Sequence, residues 1–97
     1  MVFICSPYRG DVARNIENAQ HYCQIAIKAG KIPIAPHLYF PQFLDDNDPT
    51  QRRIGIFYGL ELMKLCDEVW VFGKEMTEGM RQEIAHAEGL GMQVTYF

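Results

Sequence analysis

A chain of 97 residues with 48% hydrophobic and 22% charged residues has the size and balance of one globular domain, expected to span residues 1–97, and is neither disordered nor fibrous. A net charge of −3, spread evenly over both halves, withholds the attraction that supplies most of the affinity for nucleic acid or anionic lipid, so neither a polynucleotide nor a membrane partner is expected. Three cysteines, Cys5, Cys23 and Cys66, have no CxxC or zinc-site spacing, and no apolar stretch has signal-peptide or membrane-spanning form, which together predict a metal-free protein of the reducing cytoplasm.

Val2 to Cys5 is a continuously apolar run bounded by Ser6-Pro7 and reads as a strand buried on both faces. Val12, Ile16, Ala19, Cys23, Ala26 and Ile27 recur at helical spacing, predicting a helix over 12–29 that Gly30 ends. Ile32 to Ala35 is a second strand; its Pro33 cannot donate to a ladder, which assigns it to a sheet edge. Residues 36–48 read as a long loop. Asp48-Pro49 then opens a helix to about Leu65, an N-cap acceptor before a proline whose missing N–H is not needed. A strand over 67–73, a helix from Thr77 to Leu90 with Met80, Ile84 and Ala87 on its buried stripe, and a strand from Gln93 to Tyr96 complete a βαβαβαβ order. That order predicts an α/β fold: a parallel sheet of about four strands with helices on both faces, three layers in all, flavodoxin-like or Rossmann-like.

Ligands of open parallel sheets bind beyond the carboxyl ends of the strands, which selects three loops: Ser6 to Asp11, Pro36 to Phe40, and Gly73 to Gly79. Arg9 lies one turn before a helix N-terminus, where backbone N–H groups favour an anion; it is either a phosphate ligand or a surface arginine beside Asp11. No GxGxxG or GxxxxGK[ST] is present, so ATP-driven chemistry has no support. Glu83, one position before Ile84, sits on the flank of the core-facing stripe, leaning towards the positive end of its helix. It reads as a nucleophile or as a solvated helix glutamate. His37 is either a hydrogen-bonding group in a pocket wall or a loop histidine packed on aromatics. His21 and His86 read as surface residues and Trp70 as core.

The segments Phe3-Ile4-Cys5-Ser6-Pro7-Tyr8-Arg9-Gly10, Pro36-His37, Cys66 to Gly73 and Thr77 to Ala87, in this order, resemble the nucleoside 2-deoxyribosyltransferase-like superfamily, and in particular its short bacterial and phage-borne domains of unknown function. The resemblance covers essentially the whole chain. It implies that Glu83 is the catalytic glutamate that attacks the anomeric carbon, that Arg9 and Thr77 hold a 5'-phosphate, and that Ser6 lies in the same loop as Arg9. Tyr8, His37, Tyr39 and Gly79 complete the expected substrate-binding set, with no organic cofactor. Two departures are expected to matter. A carboxylate of the characterised enzymes falls on Gly59 here, and the family's fifth strand has no counterpart.

Two functions follow. One is an N-glycosidase or deoxyribosyltransferase acting on a nucleoside or its 5'-monophosphate. The other is a non-catalytic binder of a nucleotide or ADP-ribose-type metabolite, a phage-encoded sequestering protein, which the glycine at 59 favours. Open sheet edges and the aromatics Tyr39, Phe40 and Phe43 predict a homodimer or higher even homo-oligomer.

Overall fold

In the computed structural model, which describes residues 1–97, four parallel strands, β1 (Val2–Cys5), β2 (Pro33–Ile34), β3 (Glu68–Val71) and β4 (Gln93–Tyr96), form one sheet in the order β2-β1-β3-β4. Four helices, α1 (Val12–Lys28), α2 (Pro36–Tyr39), α3 (Pro49–Met63) and α4 (Glu78–Gly89), connect them. The fold is thus the expected α/β arrangement. Val2 of β1 pairs with Pro33 on one side and Glu68 on the other, so β1 is central and the proline-bearing β2 lies at the edge.

Alternation along β1 divides the core. Phe3 and Cys5 face Met63 of α3 and Met80, Ile84 and Ala87 of α4, whereas Val2 and Ile4 join Ala26 of α1, Trp70 and Phe72 on the opposite face. Helices therefore cover both faces. Full burial of Phe3 and Ile4 stabilises by about 1.5–3 kcal/mol each, which fixes the strand from which the first loop departs.

The helix starts are capped as their residues dictate. The Asp11 carboxylate accepts from the Arg14 N–H, Asp48 from Thr50 and Gln51, and the Thr77 hydroxyl oxygen from Met80 at 3.2 Å. Boundaries shift slightly from the expected ones: Thr77 is a cap, Gly30 follows α1 with φ +77°, and the second and third strands are shorter. The stripe of α1 is narrower than its spacing suggested. Ala19 and Ala26 are buried, but Val12 and Ile27 are exposed, because α1 turns Tyr22, Cys23 and Ile25 to the sheet. Residues 36–48 are not one long loop, since α2 and a 3₁₀ turn over Phe40–Gln42 occupy their first half. Pro36 and Pro41 each sit in the first turn of these pieces, where a fixed φ is preorganised for a helix, and neither piece is long enough to show periodicity. No helix is long and apolar enough to cross a membrane.

Candidate active site

The chain passes from β1 to its neighbours on opposite sides, β2 through α1 and β3 later, and this switch point opens a crevice at the carboxyl ends of the strands. Gly73, just after β3, has φ +106°, and a Cβ there would meet Pro7 Cδ at 2.9 Å. Only glycine lets the loop after β3 lie this close to the loop after β1.

The crevice holds a cavity of about 290 Å³ lined by Ser6, Tyr8 and Arg9 from the first loop, His37 from α2, and Thr77, Gly79 and Glu83 from the last loop and α4. Seven of the residues singled out in the sequence share this wall. Tyr39 does not: it is 55% exposed and packs edge-on against Phe40 and Phe43 outside the cavity. The helical turn of α2 explains the difference, since it carries His37 into the wall and turns Tyr39 outward, which an extended loop would not have done.

Glu83 lies deep in this site. Burial pushes its carboxyl up to about 7, opposed weakly by a hydrogen bond from the neighbouring Cys5 thiol. Near pH 7 the group is therefore divided between its acid and its carboxylate, the range in which a nucleophile or base works best. The Cys5 thiol, which also reaches the Met80 carbonyl at 3.8 Å, is itself raised by burial and by Glu83 and stays protonated. His37 is half-buried, and desolvation of its ring disfavours the imidazolium, which lowers it to about 4. Neutral His37 hydrogen-bonds the buried Ser6 hydroxyl, Nε2 to Oγ 2.9 Å, so each holds the other's orientation.

Towards the rim, Arg9 is tied to Asp46. Its Nε donates to Asp46 Oδ2 at 2.8 Å and its Nη2 to the Asp46 carbonyl at 3.0 Å. Arg52 Nη1 approaches the same Oδ2 at 3.7 Å. The surface-arginine reading of Arg9 foresaw Asp11 as its companion, but Asp11 caps α1 and Asp46 takes that place. Cys5, Asp46 and Arg52 were not singled out in the sequence. One signal for Arg52 was present: an arginine in the first turns of a helix opposes the dipole and needs an anion nearby.

Gly59 also lines the cavity, on α3, with its hydrogens towards Pro36. The carboxyls of the lining are those of Asp46, Glu78 and Glu83, and α3 contributes none. No cluster of three or more His, Cys, Asp or Glu side chains has metal-site geometry.

The model of a domain family of unknown function, DUF7768, matches residues 1–97. The chain belongs to the DUF7768 family. No curated protein matches it by sequence. Among solved structures, a 2-deoxyribosyltransferase from the psychrotolerant bacterium Bacillus psychrosaccharolyticus is similar to this DUF7768 chain with a TM-score of 0.78 and 17% identity, over 99% of this chain and 70% of that one. At that identity the likeness is one of fold, and it relates the DUF7768 sheet and its flanking helices to the deoxyribosyltransferase architecture expected from the sequence motifs.

Proposed function

We propose that the protein cleaves or transfers the N-glycosidic bond of a (deoxy)nucleoside or its 5'-monophosphate, with Glu83 as nucleophile. The observation that carries this reading is the buried Glu83 carboxyl, poised near neutrality in a cavity that also presents Ser6, His37, Thr77 and an arginine. The Glu83 carboxylate forms a bond to C1' as the C1'–N bond breaks, its electron pair passing to the base, which takes a proton from solvent. Water then attacks C1', loses a proton, and releases the sugar and Glu83; a second base in place of water gives transfer. Neutral His37 and Ser6 would orient sugar or base hydroxyls, and the Thr77 O–H, whose oxygen already caps α4, remains able to donate to a ligand oxygen.

A second reading, binding of a nucleotide or ADP-ribose-type metabolite without turnover, is favoured by Gly59, where the resemblance implies a carboxylate. One experiment separates them. Purified protein is incubated with deoxynucleosides, their 5'-monophosphates and ADP-ribose, and the products are resolved by chromatography. Free base from the unmodified chain and a roughly thousandfold loss in Glu83→Gln support the enzyme. A ligand recovered intact after denaturation supports the binder, and base release unaffected by Glu83→Gln removes Glu83 from the mechanism.

The exposed rings of Tyr39, Phe43, Phe57 and Tyr58 beside the cavity support a two-fold homo-oligomer of this chain. Light scattering at micromolar concentration tests it, a mass of 11.2 kDa excluding the dimer.

A further inference from the structure

Two guanidinium groups share one carboxylate at the cavity rim. Asp46 Oδ2 receives Arg9 Nε at 2.8 Å and stands 3.7 Å from Arg52 Nη1, beyond hydrogen-bond length. Arg52 Nη1 is buried and has no hydrogen-bond partner, an unusual state for a charged donor. The remaining carboxyls of the lining, Glu78 and Glu83, pair with neither arginine. Asp46 is thus the one carboxylate within ion-pair distance of either arginine, and a buried donor of Arg52 stays unsatisfied.

As placed, Asp46 serves this pair poorly, because its side chain and carbonyl are bonded by the Arg9 fork while the guanidinium of Arg52, approaching from another element, is left short of a bond. A phosphate offers three terminal oxygens in tetrahedral directions and matches both. Asp46 lies outside regular secondary structure and is about one-third exposed on its side chain, so its carboxylate has solvent to turn towards.

We infer that Arg52 is a second anion-binding residue beside Arg9, and that Asp46 holds the two guanidiniums in place until the phosphate of a 5'-monophosphate replaces it. The inference deepens the nucleotide reading above and rests on it for the rest of the ligand, but not for the anion. It assigns the monophosphate, rather than the nucleoside, as the preferred substrate class. It also sets opposite signs for two neighbouring charges: Arg52 strengthens binding and Asp46 weakens it.

The test is isothermal titration at fixed ionic strength with inorganic phosphate, using the unmodified chain, Arg52→Ala, Arg52→Lys and Asp46→Asn. The same set in a Glu83→Gln background, where no ligand is consumed, is titrated with deoxynucleosides and their 5'-monophosphates. Arg52→Ala is expected to weaken monophosphates about tenfold or more and to leave nucleosides within about twofold. Arg52→Lys, which keeps the charge and the stem but not the fork, should fall between, and circular dichroism confirms folding of each variant. Asp46→Asn is expected to tighten monophosphates at least about threefold by removing the competing charge.

Unchanged monophosphate and inorganic phosphate affinity in Arg52→Ala, weaker binding in Asp46→Asn, or no response to phosphate at millimolar concentration overturns the inference. Arg52-dependent binding of inorganic phosphate without any nucleoside or nucleotide binding keeps the anion site and rejects the nucleotide reading. Base release equal on nucleosides and monophosphates, and indifferent to Arg52, does the reverse.

Discussion

The deep end and the rim of the one cavity handle charge in opposite ways. At the deep end Glu83 and His37 are taken out of water, and burial drives both towards their neutral forms, the carboxyl up to about 7 and the imidazole down to about 4. At the rim Arg9 and Arg52 converge on Asp46 in partial contact with solvent, Arg9 hydrogen-bonded to it and Arg52 Nη1 3.7 Å away. The lesson is a division of labour. Where water is scarce, burial sets the protonation of a group, and where solvent reaches a charge pair, its partners are held weakly enough to be exchanged.

The largest effect that would break this contrast is on stability against pH. Glu83 carries a folded value of about 7 against an ordinary 4.5, so its folded state holds a proton more tightly. Its contribution is complete below 4.5 and is lost as pH rises to 7, a cost of about 3 kcal/mol for ionising it in place. His37 runs the other way, since a value lowered from 6.5 to about 4 contributes stability above 6.5 that is lost as pH falls to 4. Between pH 4.5 and 6.5 the two nearly cancel. Glu83→Gln is expected to unmask the histidine: urea denaturation of this variant should show stability rising by up to about 3 kcal/mol from pH 4 to 6.5, while the unmodified chain shows little net change from this pair. A parallel pH response in both proteins would place Glu83 in ordinary solvent.

Activity supplies the next effect. If ionised Glu83 is the nucleophile, kcat/KM should fall about tenfold for each pH unit below 7 and level off above it, since this ratio reports the free enzyme. The bend should move in Cys5→Ala, because the thiol bond that helps hold the carboxylate is removed and the acid form is favoured further. A bend near pH 4.5 would mean that the cavity is wetter than its lining implies.

The rim should respond weakly to the same kind of perturbation. Arg9 is half exposed, and its pair with Asp46 is screened by solvent, so Arg9→Ala is expected to change folding stability by less than about 1 kcal/mol. Its effect belongs in ligand affinity and in the salt dependence of that affinity. A loss well above 1 kcal/mol in thermal or chemical denaturation would make Arg9 a structural anchor of the 36–48 segment instead.

How much of this was legible in the sequence follows from the range of the interactions involved. Strands, helix starts and the edge position of β2 rest on local patterns, the apolar run of β1, Asp48-Pro49 and Pro33, and these survive folding almost unchanged. Residues directly after strands were legible as cavity lining because topology alone brings them together, as with Ser6, Tyr8, Arg9, His37 and Thr77. Tyr39 failed because one turn of helix, too short to leave a period, reverses where successive side chains point. The Arg9–Asp46–Arg52 group and the Cys5–Glu83 contact join residues 37, 6 and 78 positions apart in sequence, respectively, on elements whose mutual orientation no local pattern encodes.

The smallest effect concerns Gly59, the one cavity position where the resemblance implies a carboxylate and the chain has hydrogen. Unlike Gly73, it lies inside a helix with an ordinary φ, and a Cβ there would stand 3.5 Å from Pro36 Cβ, which is normal contact. The backbone therefore does not require glycine. Gly59→Ala should stabilise the protein by about 0.5–1 kcal/mol through helix propensity and a less flexible unfolded chain, provided that the side chain enters only the margin of the cavity. Ligand affinity should then stay within about twofold, because the added methyl faces Pro36 and not the deep end. A gain in stability together with a loss of nucleotide binding would sharpen the contrast between the two regions. It would show that the ligand occupies the space beside Gly59, and that the glycine is kept to seat the sugar, not because α3 could not fold otherwise.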